Sequence, residues 1–199
     1  MRKIGALIFP GFELLDLFGP LEMFGMLAEQ FTIRIVAETA DPIKSYPGPM
    51  ILPDDLTSDN QDYDILLIPG GDGTRREVDN DGLLQWLWEK SAKAELVASV
   101  CTGSALLAKA GLLDARKATT TKEEFDETTS NGPSVHWQKK ARWVQDGRFF
   151  TSSGVSAGTD MSLAIIAHLH DLATAEQIAR WAEYTWNRDP NNDPFFIAP

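Results

Sequence analysis

Apolar residues along this chain fall into two spacings that alternate. KIGALIF (3–9) is a short continuous apolar run ending at Pro10-Gly11, the pattern of a buried strand. Residues 13–28 then carry apolar side chains at helical spacing, interrupted by Gly19-Pro20, which predicts a broken or kinked helix. FTIRIVAE (31–38) alternates and is rich in β-branched residues, so it reads as a second strand. From Asp41 to Pro53, four prolines and a glycine leave room only for short irregular strands, such as a small hairpin. YDILLIPGG (63–71) is a strand running into a glycine turn. DGLLQWLWEKSAK (81–93) is an amphipathic helix, and ELVASV (95–100) is a further central strand.

Beyond Cys101 a helix is expected over 102–110, closed by Gly111, because the residue after a helix often needs positive φ. ARWVQDGRFFTSSG (141–154) has the pattern of a hairpin turning at Asp146-Gly147. Two helices close the chain, over 157–171 and 175–188, the second opening with Thr174 and Gln177 at capping-box spacing. Strands that alternate with helices imply parallel pairing and right-handed crossovers. The predicted fold class is therefore α/β: a doubly wound, mostly parallel sheet flanked by helices. With no repeat, linker or low-complexity tract, residues 1–199 are expected to form a single domain.

Charge and cysteine content narrow the function. The chain has 29 acidic and 18 basic residues, a net charge of −11, which argues against general affinity for nucleic acid or anionic membrane. Its single cysteine excludes an internal disulfide, so the fold does not depend on an oxidising compartment. The opening apolar run is broken by Pro10, Gly11 and Glu13 and lacks a convincing cleavage site for a signal peptide. No uninterrupted apolar segment approaches the ~20 residues that cross a bilayer. A cytoplasmic location is the expectation.

In open α/β sheets, ligands collect beyond the carboxyl ends of the strands. Three segments end strands there: PGFELLDLFGP after the first, PGGDG (69–73), and the turn at Cys101. A nucleophile on a sharp strand-to-helix turn is lifted above its neighbours and faces a helix N-terminus, which favours a thiolate. The competing reading is a small buried hydrophobe, the usual state of a free cysteine. His136, His168 and His170 all lie away from the expected strand ends, so a Cys-His dyad is poorly supported. Carboxylates remain. Glu13 and Glu22 suit an exposed helix face, whereas Asp16 sits between leucines, either capping its helix or facing the thiol. A protonated Asp16 beside Cys101 would serve as a proton shuttle. Gly70 and Gly71 would bring a backbone N–H near the substrate, pairing with that of Thr102 to hold negative charge. GGDG matches neither a Walker loop nor the dinucleotide fingerprint, and no Cys/His cluster or HExxH spacing marks a catalytic metal. Neither a cofactor nor a metal is expected.

Taken together, FPGFELLDLFGPLEMF, LLIPGGDG, ASVCTGSALLAKAGLLDARKATTT, ARWVQDGRFFTSSGVSAGTDMSLAI and AEYTWNRDPNNDPF resemble the ThiJ/PfpI superfamily along nearly the whole chain. That resemblance implies a class I glutamine amidotransferase-like, flavodoxin-like fold with a nucleophile elbow. CTGS with LDLFGP is most similar to the isocyanide hydratase branch, which uses a Cys followed by Thr and an Asp in the first turn, here Cys101, Thr102 and Asp16. The protease branch has Cys followed by His, absent here. Close relatives often read ATTHW after the nucleophile helix, where this chain has Thr121-Lys122. Related regulators add a C-terminal helix-turn-helix domain, which is not expected in this chain. The resemblance implies a cofactor-free hydratase turning a small-molecule electrophile, an isocyanide, into a formamide, in a homodimer. It also implies two alternatives: a stress-response protein whose cysteine is oxidised, or a glyoxalase-like enzyme.

Overall fold

The computed structural model describes residues 1–196. Strands β1 (Arg2–Leu7), β2 (Phe31–Ala37), β5 (Asp55–Leu56), β6 (Ile65–Ile68), β7 (Leu96–Val100), β10 (Trp143–Asp146) and β11 (Phe149–Ser152) form one sheet. Their order is β10-β11-β7-β6-β1-β2-β5. Every neighbouring pair is parallel except β10 with β11, the antiparallel hairpin at one edge. β3 (Ile43–Lys44) and β4 (Met50–Ile51) make the small hairpin expected from the proline-rich stretch. β8 (Lys117–Ala118) and β9 (His136–Trp137) form a separate parallel pair.

The helices are α1 (Leu14–Gly25), α2 (Thr74–Glu77), α3 (Asp81–Lys93), α4 (Gly103–Lys109), α5 (Phe125–Thr129), α6 (Ala157–Leu169) and α7 (Leu172–Trp181). From β1 the chain steps outward to β2. It later returns to β6 on the other side of β1 and continues to β7 and β11. Right-handed crossovers running in opposite directions place their helices on opposite faces of the sheet. Accordingly α1 packs with α6 and α6 with α7, while α4 gathers α2, α3 and α5. Both faces are therefore covered, which is why β6 and β7 are wholly buried and read as continuous apolar runs.

Two expectations are corrected. The first helix is not broken at Gly19-Pro20: it runs as one element from Leu14 to Gly25 with Pro20 inside. The last helix starts at Leu172 rather than 175, because Asp171, not Thr174, is its cap and accepts a hydrogen bond from the Thr174 N–H at 2.7 Å. It stops at Trp181, well short of 188. Glu183 takes φ +50, and the chain beyond is held by Asp160: Tyr184 Oη and the Asn187 N–H donate to its carboxylate and Trp186 Nε1 to its carbonyl. Tertiary anchoring here overrides helical periodicity.

Candidate active site

The sheet reverses its order between β1 and β6, and the turns after β1, β6 and β7 lie side by side at that switch point. Cys101, directly after β7, has φ +56. For a residue with a side chain, this left-handed conformation costs about 1–2 kcal/mol, so the surroundings must hold it. Its N–H donates to Ser152 O at 3.2 Å. Its carbonyl accepts from Thr120 Oγ1 at 2.8 Å and Ser104 Oγ at 3.1 Å. The strand-to-helix elbow is thus present, with α4 beginning at Gly103.

Asp16 lies in the first turn of α1 but does not cap it. Its side chain is fully buried, and Oδ2 accepts from the Gly70 N–H at 2.9 Å. Oδ1 has no hydrogen-bond partner. A Cβ on residue 70 would meet Thr102 Oγ1 at 2.5 Å and Asp16 Oδ2 at 2.9 Å, so only glycine lets these groups converge. The Gly71 N–H donates to Thr102 Oγ1 at 2.9 Å, and that oxygen lies 3.3 Å from Gly71 O. The structure therefore brings Asp16, Gly70, Gly71, Cys101 and Thr102 together, with a change of roles. The Gly70 and Gly71 amides, expected to face a substrate, hold Asp16 and Thr102 instead. The Thr102 hydroxyl ties the elbow to the PGG turn.

Burial pushes the Asp16 carboxyl well above its ordinary range. The Gly70 N–H opposes this, Glu13 adds to it, and the Cys101 thiol also opposes it, though no hydrogen bond of regular geometry joins the two. Cys101 is also buried, and the same desolvation pushes its thiol well up, with the Asp16 charge adding to it. The Thr102 N–H and the Thr121 side chain act the other way. The thiolate favoured at a helix N-terminus is thus opposed by the seclusion of the sulfur. Two anions here repel each other, so the pair favours one negative charge at most.

The Thr121 side chain reaches the thiol. A methyl group on Gly154 would lie 2.9 Å from Cys101 Sγ and 3.0 Å from Thr121 Oγ1, so only the bare Gly154 backbone can pack this closely against the sulfur. There a cavity of about 580 Å³ is lined by Thr121, Gly154, Leu15, Val155 and Phe195. A smaller one, about 260 Å³, is lined by Thr102, Arg75 and Glu124. The histidines do not contribute: His168 and His170 pack edge-on to Phe150 and Phe31, and His136 is exposed on β9. Among the described residues no three His, Cys, Asp or Glu side chains are placed to share a metal ion, and no helix is long and apolar enough to cross a membrane.

The family model described as DJ-1/PfpI matches residues 2–168. The chain belongs to the DJ-1/PfpI family. An isonitrile hydratase of Pseudomonas putida is 32% identical over 182 residues, covering 92% of this chain and 78% of that protein. A crystal structure of a ThiJ/PfpI family protein from Pseudomonas syringae superposes with a TM-score of 0.84 at 35% identity, over 98% of this chain and 77% of that one. A glutathione-independent glyoxalase of Caenorhabditis elegans is 26% identical over 139 residues, 69% of this chain and 73% of that protein. The doubly wound sheet is the fold of this DJ-1/PfpI family. Thr121 was singled out by sequence reasoning, whereas Thr120 and Ser152 were not. The TTT run after β8 was the one visible signal of Thr120, since three adjacent hydroxyls invite buried hydrogen bonds.

Proposed function

We propose that this DJ-1/PfpI protein is a cofactor-free hydratase that converts isocyanides to N-substituted formamides. Cys101 is the nucleophile and Asp16 the acid and base. The observation that carries this reading is a fully buried carboxyl beside the only thiol, one oxygen fixed by Gly70 and the other unpartnered. In the reactive state the proton rests on Asp16 and the charge on sulfur, where the Thr102 N–H and Thr121 hydroxyl favour it. The thiolate attacks the terminal carbon of R–NC, forming the S–C bond, and Asp16 delivers its proton to that carbon, giving a thioimidate. Asp16, now a carboxylate, takes a proton from water as the oxygen bonds to the same carbon, and passes that proton to nitrogen. Collapse forms C=O, breaks C–S and returns the hydroxyl proton to Asp16, so thiolate and acid are restored. Gly70 and Gly71 position the acid and the elbow rather than contacting substrate.

The similarity to the isonitrile hydratase supports the reaction class. Oxidative sensing is less well served, since it asks for a solvent-exposed thiol and Cys101 is buried. The glyoxalase alternative rests on the weaker similarity. We also propose a homodimer, with Leu15 and Phe18, both exposed on α1, at its interface.

The test is ultraviolet-monitored conversion of an aryl isocyanide, with the formamide identified by NMR. Turnover should vanish in Cys101→Ala and fall about 10²–10⁴-fold in Asp16→Asn, the usual scale of a lost general acid–base. Full activity in either variant, or none in the reduced native protein, would overturn the proposal.

A further inference from the structure

Residues 190–196 form a strap that a secluded charge cluster fastens beside the cavity at Cys101. The Lys122 side chain is only 8% exposed. It donates to Thr119 Oγ1 (2.9 Å), Thr120 O (3.0 Å) and Ala141 O (2.7 Å), which uses all three of its protons. It therefore has none to spare for a substrate. Desolvation pulls its ammonium down to about 8, opposed by Asp193, whose Oδ2 lies 3.8 Å away. Arg142 is buried and donates through Nε and Nη2 to Asp160 Oδ2 at 3.0 and 2.8 Å, and its Nη1 lies 3.6 Å from Asp193 Oδ1.

Asp193 is thus a buried carboxylate facing two cations, while the strap hangs on its backbone and side chain. Its N–H donates to Lys140 O, its Oδ1 accepts from the Phe195 N–H at 2.9 Å, and the Arg142 N–H donates to Pro190 O. Such a cluster is costly to desolvate and costlier to leave half-paired, so it fixes the strap in one place. What it fixes is Phe195. This side chain is 65% exposed, yet it lines the 580 Å³ cavity, with the Arg142 guanidinium 5.9 Å from its ring. Leu15 and Val155 line the same cavity and complete its apolar wall; Gly154 lines it too, and the Cys101 sulfur packs against Gly154.

We propose that Phe195 is the specificity-determining residue of this site: it selects isocyanides whose substituent is an apolar ring, and the Lys122–Asp193–Arg142–Asp160 cluster positions it. The substrate class rests on the hydratase reading, but the wall itself does not. Ring-sized apolar surface is matched by Phe195, Leu15 and Val155; of the two charged residues that also line the cavity, Lys122 is consumed by its neighbours and Glu123 is exposed to solvent.

The experiment compares alkylation of Cys101, the sole cysteine, by N-phenylmaleimide and N-methylmaleimide, each rate divided by that of a small free thiol. Both reagents form the same S–C bond, with the thiol proton ending on the adjacent carbon, so their ratio reports the wall alone. The native protein should favour the phenyl reagent. Phe195→Ala should lower the phenyl-to-methyl ratio about three- to tenfold, the range of an aromatic contact. Asp193→Asn should lower it in the same direction, with no further effect in the Phe195→Ala background. An unchanged ratio in Phe195→Ala, equal acceleration of both reagents, or a folded protein that takes neither reagent would overturn the proposal. Labelling requires no turnover, so a wall that selects without hydratase activity separates this proposal from the reaction.

Discussion

At the scale of residues, the site turns on how burial treats two acids. Asp16 is fully buried and its carboxyl is raised, so the folded chain keeps a proton that the unfolded chain has released above about pH 4. The sign follows: this contribution to stability is complete below that pH and is lost as pH rises through the folded value. An asparagine in place of Asp16 would keep an acceptor for the Gly70 N–H and carry no charge. Asp16→Asn is therefore expected to melt above the native protein at pH 7 and to converge with it near pH 4. Each kcal/mol is worth about 2–4 °C in a chain of this size. Thermal scans of both proteins from pH 4 to 8 check this, and a constant difference across the range would contradict it. The sequence shows Asp16 between leucines and Cys101 at a corner, enough to nominate both. It does not show that the Gly70 amide reaches Asp16 or that Thr121 lies against the thiol, because those contacts join residues 54 and 20 positions apart.

Elements were legible where their patterns are local. β6 and β7 are continuous apolar runs because helices cover both faces of the sheet, and the Asp146-Gly147 hairpin carries its own turn chemistry. The elbow was legible for the same reason: a strand pattern ends at Val100 and small residues follow. Patterns failed where distant partners decide. β5 pairs only Val36 with Asp55 and Ala37 with Leu56, too few residues to show a period. The last helix gives way beyond Trp181 because Asp160 draws Tyr184, Trp186 and Asn187 to itself. The thiolate expected from the helix N-terminus meets an opposing influence that no local pattern shows. α4 is only seven residues long, and the desolvation of a buried sulfur next to a carboxylate pushes the thiol the other way.

For the whole molecule, the order of strands sets the chemistry. Because β1, β6 and β7 are neighbours, turns from three distant parts of the chain supply the acid, the amides that hold it and the nucleophile. The same arrangement leaves Leu15 and Phe18 exposed on α1, at the rim of a site whose cavity Leu15 lines. A dimer joined there is expected to have twice the chain mass by light scattering, and Leu15→Glu with Phe18→Glu should halve it. A native monomer at tens of micromolar would rule the dimer out. The central claim is that a proton-sharing Cys101–Asp16 pair does covalent chemistry. Its most direct test is intact-protein mass spectrometry of a reaction with an aryl isocyanide, quenched in acid during turnover. The account predicts a mass gain of one whole isocyanide, confined to the peptide carrying Cys101 and absent from Cys101→Ala. Formamide production with no such adduct, and undiminished in Cys101→Ala, would contradict it.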